Sequence, residues 1–344
     1  MPTPRRPLSL RLALLWLTVV ALLPAQVPRI GIIDYYGIRK TPPARIIQAL
    51  GVREGDPLPA SKASSEEKLE TVPGVTRALL EAVCCDNGKT VLFVGIEERL
   101  ARHSEFRPDP EGDAKLPQNI LDAYGQFQET FQEAVRYGKV VEGFAEGHPL
   151  FSDLLSNQAQ KRFIGLAEEN LPKLREVLRS SADADQRAIA AEVIGYAPKK
   201  QMVVDDLQYA LQDPDARVRG NAIRALRAIA VLAEKEPALE IRVSPTWLIE
   251  MLNSIVWSDR TKALAALVDL TQSRKPEILE QVRQRAFDSV LEMARWKSLT
   301  HALPAYILFG RVAGLPEDRI LATWAAGQRD EIIASTLQPK RPKK

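Results

Sequence analysis

The second half of this chain repeats itself, and the repeat decides what it can fold into. Residues 174–178, a polar turn and residues 187–197 parallel residues 207–211, a turn at Gln212, Asp213, Pro214 and Asp215, and residues 219–230. A third copy runs through 248–252 and resumes at Asp259, where Arg260, Ala263, Leu264, Leu267 and Leu270 line up with Arg219, Ala222, Ile223, Leu226 and Ile229. Each copy holds two apolar runs at helical spacing, and the copies recur about every 33 to 41 residues, the mark of an α-solenoid. One helix pair cannot bury its own apolar faces, so residues 171–336 are expected to stack unit on unit. Beyond Glu277 helical spacing continues through 286–295 and 302–312, but the turn residues fade and Trp296, Tyr306 and Trp324 enter. Two readings stay open there: an atypical terminal cap, or two or three helices of another kind.

The run Asp213, Pro214, Asp215, Ala216, Arg217, Val218, Arg219 with Ala222, Ala225 and Leu226 resembles the HEAT-repeat family. The resemblance implies a superhelical solenoid that works by binding other proteins. Arg187, Arg219 and Arg260 recur at the start of successive second helices. They are repeat-surface candidates for an anion-binding row; alternatively each pairs with an acid of the adjacent turn, such as Asp183 or Asp215, and holds the units in register. Nearest-neighbour coupling in repeat arrays favours the second reading.

Residues 27–99 follow another period. Ile30, Ile32, Ile33, Tyr35 and Tyr36 form a β-branched and aromatic strand ending at Gly37. Pro42 and Pro43 open a helix with Ile46, Ile47 and Leu50 on its apolar face, closed by Gly51. A second helix is expected after Ser64 or Ser65, carrying Leu69 and Val72 before Pro73 and Gly74 break it. Residues 78–84 and 90–97 then read as two strands joined through Asn87 and Gly88, which suit a hairpin turn. The order is β-α-α-β-β. With the Gly55-Asp56 turn, the Val72-Pro73-Gly74-Val75 break and the last strand Val91 to Glu98, it resembles the POTRA domains. That resemblance implies an extracytoplasmic domain which accepts a partner's extended chain along an open sheet edge. Ala78, Leu80, Ala82 and Cys84 would line that edge, because the hairpin gives their strand only one neighbour. A plain edge, blunted by charge or covered by the rest of the chain, is the alternative. Cys84 and Cys85 are the two cysteines. Adjacent side chains of a strand point to opposite faces, and a ring-forming disulfide between neighbouring cysteines is strained and rare, so one buried and one exposed thiol are expected, with an intermolecular bridge as a second option.

Arg5, Arg6 and Arg11 precede an uncharged, largely apolar run of twelve residues, 12–23, the layout of a secretory signal peptide. A helix needs roughly 20 residues to cross a bilayer, so residues 1–26 are expected to be removed near Ala25 or Gln26, with an uncleaved anchor as the alternative. The leader's arginines account for the whole formal charge of +3, and the rest is neutral. With Lys340, Arg341, Lys343 and Lys344, residues 337–344 are expected to be a basic, disordered tail. Residues 100–116, rich in charge and proline, read as an extended linker. In the connecting region 117–170, Ile120, Leu121, Tyr124, Phe127, Phe131 and Val135 mark an amphipathic helix to about residue 141.

Catalytic motifs are missing. His103, His148 and His301 lie far apart without metal spacing, and no GxSxG elbow, Walker loop or GxGxxG turn occurs. The expected fold is therefore α+β: a small β-α-α-β-β domain followed by an all-α HEAT-like superhelical solenoid. The expected function is an exported, non-catalytic protein-interaction scaffold of the bacterial cell envelope, with envelope proteins as partners. No nucleic acid, cofactor or metal is expected, and no membrane span after leader cleavage. An accessory factor in outer-membrane protein assembly and an enzyme built on helical repeats are the alternatives.

Overall fold

A computed structural model describes residues 28–338 except 139 and 145; the expected leader and all but the first two residues of the expected tail lie outside the described residues. The chain opens with β1 (Ile30–Tyr36), α1 (Pro43–Leu50), α2 (Lys62–Glu70), β2 (Val75–Asp86) and β3 (Lys89–Glu98). The sheet order is β1-β3-β2, with β1 parallel and β2 antiparallel to β3. Proline opens α1, and Gly51 ends it in the left-handed conformation at φ 72°. The cap of α2 lies three residues earlier than Ser64, because the Ser61 hydroxyl accepts the Ser64 N–H at 3.2 Å; Ser65 is buried inside the helix. Asn87 and Gly88 both take positive φ in the hairpin turn.

Residues 91–96 of β3 are buried without interruption, so both faces of the sheet are covered. Leu92, Val94 and Ile96 share a core with Ile46, Leu50 and Leu69 of α1 and α2. Val91 and Phe93, one residue out of step, belong with Tyr36 to the core of the helical region. The sheet is thus a middle layer, with α1 and α2 on one face and the helical region on the other, and the two modules pack as one body.

After α3 (Gln118–Arg136) and a short hairpin, β4 (Glu142–Gly143) with β5 (Leu150–Phe151), α4 (Leu154–Ser180) begins the array. Asn170 is non-helical and Pro172 follows, so α4 bends into two limbs. Its second limb pairs with α5 (Ala184–Ile194); α6 (Val204–Ala210) pairs with α7 (Ala216–Lys235), and α8 (Thr246–Met251) with α9 (Trp257–Leu270). Next come α10 (Pro276–Ala294) and α11 (Leu299–Val312). Here α10 packs on α8 and α11 on α9, so this pair continues the array as a fourth unit. The terminal elements are α12 (Glu317–Ala325) and α13 (Arg329–Leu337). Ile320 of α12 sits against Gly310 so closely that a methyl group there would lie 2.5 Å from it.

Residues 100–116, expected to be an extended linker, are a strap laid across the inter-helix turns. Ser104 Oγ donates to Glu250 O at 2.8 Å, Arg107 N to Gln212 O at 2.9 Å, and Leu116 N to Gln186 Oε1 at 2.7 Å. Ala182 N donates to Gly112 O at 2.7 Å, where a side chain on residue 112 would strike Ser180 O. Three successive units are contacted in reverse order, which carries the chain from the small domain back to the start of the array.

Candidate functional site

Ala78, Leu80, Ala82 and Cys84 lie on β2, which is a sheet edge. Ala78 and Leu80 are buried, and their outward N–H groups are already taken: Ala78 N donates to Glu70 Oε1 at 3.0 Å and Leu80 N to Glu66 Oε1 at 2.7 Å. Two carboxylates from α2 thereby occupy the positions an added strand's carbonyls would use. Ala82 and Cys84 are exposed, so the uncapped edge shrinks to its last few residues. Cys84 and Cys85 are joined to each other in a disulfide, and both are exposed. This corrects the expectation of two unbonded thiols, one buried and one exposed; the pairing register of β2 shifts between Val83 and Asp86, so the pair does not sit in the regular strand whose alternation that expectation assumed.

Arg187, Arg219 and Arg260 are placed in the core, at 0%, 1% and 2% exposure, not on a repeat surface. Each guanidinium ties carbonyls of its own turn to a carboxylate of the next unit. Arg187 donates to Ser181 O at 2.8 Å and to Asp213 at 2.9 and 3.1 Å. Arg219 donates to Asp213 O at 2.7 Å, Pro214 O at 2.8 Å and Asp259 at 2.7 Å. Arg260 reaches Ser254 O and lies 3.3 Å from Glu292 of α10. The partners are one unit further along than Asp183 or Asp215. The strap seals the ladder: Phe106 stacks under Arg219 at 3.7 Å, and Asp109 lies 3.2 Å from Arg187.

At the fourth unit no arginine stands at the start of α11, and the small domain takes over. Asp34 of β1 accepts Lys297 N at 2.7 Å and Ser298 N at 2.9 Å, satisfying donors next to the helix start. Asp86 accepts Ser298 Oγ and Thr300 Oγ1, each at 2.8 Å. Glu292 accepts Gly37 N at 2.9 Å and also binds Arg39. Between these polar clasps, Phe93 meets Trp296 at 4.9 Å, Trp257 at 5.2 Å and His301 at 5.3 Å between ring centroids.

The junction also brings a serine beside a histidine, which spacing did not foretell: Ser298 Oγ is 2.7 Å from His301 Nδ1. It lacks the relay of a hydrolase. The carboxylate of Asp86 has no proton to give, so it takes the serine's, and His301 Nδ1 must be the donor to Oγ. In a nucleophile–base pair the histidine accepts that proton and the acid holds the histidine's other nitrogen. Ser298 is also fully buried.

A second polar network lies under the β4–β5 hairpin. Lys200 Nζ is 2.7 Å from His148 Nδ1 and donates to Gly195 O at 2.8 Å. His148 stacks on Tyr196, whose hydroxyl donates to Pro149 O at 2.7 Å. Burial pushes Lys200 down to about 7; burial, then the neighbouring Lys200 ammonium, push His148 from 6.5 down to about 4. A value below that of the unfolded chain means the fold holds His148 neutral. The resulting stability is fully present above about pH 6.5 and is lost as pH falls towards 4, by roughly 3 kcal/mol. Urea midpoints at pH 7 and pH 4.5 will therefore differ less for His148→Phe than for the parent protein; equal differences would rule this residue out as the source.

Several grooves open on the surface of the described residues, and two of them carry clustered charge. One, about 410 Å³, lies between the small domain and α10 and is lined by Arg39, Lys40, Arg102, Arg283 and Arg285 with Glu98 and Asp288. Most of its cations are spoken for: Arg39 by Glu292, Arg285 by Glu250, Arg283 by Glu280. Another, about 370 Å³, lies where α3, α5, α7 and α9 meet, with Tyr124, Asp185, Ile189, Arg217, Asn221 and Lys262 on its walls. Among the described residues no group of three or more His, Cys, Asp or Glu side chains is placed to hold a metal ion, and no helix is long and apolar enough to cross a membrane.

Comparison with known proteins agrees with this architecture over the array. The HEAT-repeat family model matches residues 171–267, from the second limb of α4 through most of α9. The helical region is therefore a HEAT-like α-solenoid. No curated protein matches the chain.

Proposed function

We propose that the chain is an exported, non-catalytic protein-interaction scaffold of the bacterial cell envelope. The observation that carries this reading is a HEAT-like array locked by a buried arginine–carboxylate ladder and clasped at its fourth unit by the small domain. Such a body presents fixed surfaces to partners instead of a deep pocket for a small molecule. The apolar leader in residues 12–23 supports export, and the β-α-α-β-β order with sheet order β1-β3-β2 supports a POTRA-like reading of the small domain. The carboxylates of Glu66 and Glu70 on β2 count against strand addition along its full length, and so favour the scaffold reading over an assembly factor that captures barrel strands.

The test is proximity crosslinking of the tagged full-length protein in its own cells, read by mass spectrometry. Reproducible envelope proteins are the expected catch. Recovery of the protein in the cytoplasm with its leader intact, or the absence of any protein partner, would overturn the proposal. Ala82→Pro, which removes one uncapped edge donor, separates the two readings. Partners that survive it bind elsewhere than β2, whereas their loss would shift the assignment to strand addition.

A further inference from the structure

The disulfide of Cys84 and Cys85 joins residues that are neighbours in sequence. A disulfide stabilises a fold mainly by restricting the unfolded chain, and the gain grows with the length of the loop it closes. Between neighbours almost no loop is closed, so this bond adds little to global stability by that route. Both cysteines are exposed, at the end of β2 where the edge is no longer capped by Glu66 and Glu70. The pair is therefore open to an external thiolate, and exposed disulfides are the exchangeable ones.

What the pair controls is the aim of the residue after it. Val83 lies opposite Val91 and packs with it against the core of the array. Asp86 lies opposite Lys89 and reaches the same side, where its carboxylate accepts Ser298 Oγ and Thr300 Oγ1. In a regular strand residues 83 and 86, three apart, point to opposite faces. Here β2 places Cys84 and Cys85 where β3 places Thr90 alone, a bulge that re-aims the next side chain. Adjacent cysteines of a regular strand point apart, so a bond between them holds the bulge, and the bulge holds Asp86 against α11.

We propose that the Cys84–Cys85 disulfide is a reversible redox site that exchanges with an external dithiol, and that its oxidation state sets the Asp86 clasp between the small domain and α11. One thiolate of the dithiol attacks a sulfur of the pair; the Sγ–Sγ bond breaks and a mixed disulfide forms. The dithiol's second thiolate then attacks that mixed disulfide. Two electrons and two protons pass to the pair, which becomes two thiols, while the reductant becomes a disulfide. Released from each other, the cysteines can alternate along a regular strand, which turns the Asp86 side chain to the opposite face and away from Ser298 and Thr300. In the cell the reductant is a dithiol protein of the compartment that holds the chain. The inference goes beyond the scaffold reading and does not rest on it, because exchange and clasp are properties of the purified protein.

The test takes the full-length protein, oxidised with oxidised glutathione, and treats it while folded with dithiothreitol, with iodoacetamide labelling read by intact mass. Two alkylated cysteines are expected without denaturant, and oxidised glutathione added before the label should restore the unreactive form. The reduced protein should unfold at a urea midpoint lower by about 0.5 M or more, as for the loss of two hydrogen bonds to a carboxylate. Cys84→Ser combined with Cys85→Ser should have the reduced midpoint and ignore dithiothreitol. Asp86→Ala should have one low midpoint in both oxidation states, the readout that ties the pair to the clasp. Two free thiols after oxidation, or a disulfide that yields only in denaturant, would overturn the redox site. Equal midpoints for the oxidised and reduced parent protein, or a shift on reduction that Asp86→Ala keeps in full, would overturn the coupling. The scaffold reading falls separately, if crosslinking finds no protein partner.

Discussion

Arg219→Ala will destabilise the protein by roughly 3 to 5 kcal/mol, the range for removing one partner of a buried ion pair. Four favourable contacts of the guanidinium disappear at once: the carbonyls of Asp213 and Pro214, the carboxylate of Asp259 and the face of Phe106. The greater part of the cost comes from what is left behind. Asp259 is fully buried and would keep only the Ser254 hydroxyl at 2.9 Å, so a carboxylate would remain in the core with one neutral donor. Urea unfolding followed by circular dichroism gives the number. The paired replacement Arg219→Met with Asp259→Leu removes the orphaned charge and should recover most of the loss. If the single variant loses less than about 1 kcal/mol, the ladder is decoration and register must be set by apolar packing alone.

How much of this was legible varied with the physics involved. The helix pairs of the array and the strands of the small domain were readable because apolar periodicity is a local signal. The arginine positions were readable as a recurrence. Their partners were not, since Arg219 meets a carboxylate forty residues away whose position depends on how the next unit stacks. The uninterrupted burial of residues 91–96 had a visible trace in the run Val91-Leu92-Phe93-Val94, which reads as a strand covered on both faces. Asp34, a lone acid in an isoleucine-rich strand, was the other trace of the junction: an unpaired carboxylate there would be costly, so it implies a donor supplied from outside the small domain. The strap defeated composition altogether. Charge and proline describe a segment that makes no regular structure of its own, and they are silent on whether its backbone groups find partners on another surface.

The junction sets the second large effect. Phe93→Ala is expected to cost about 3 to 5 kcal/mol, as for a buried phenylalanine whose cavity collapses poorly, and poor collapse is what this site imposes. The ring is bounded by Trp296, Trp257 and His301 on the helical side and by its own strand on the other, and the clasps of Asp34 and Asp86 hold those walls apart. The consequence reaches beyond the amount. Tyr36, Val91 and Phe93 belong to the core of the array, so the small domain and the solenoid should unfold together in the parent protein, with tryptophan fluorescence and far-ultraviolet circular dichroism giving coincident transitions. Weakening the shared layer should separate them, the fluorescence of Trp257 and Trp296 changing at lower urea than the helical signal. Leu100→Ala, at a side chain 79% exposed, is the matched control and should move the midpoint by no more than about 0.5 kcal/mol. Coincident transitions in Phe93→Ala, at a midpoint no lower than that control, would mean that the two modules merely touch.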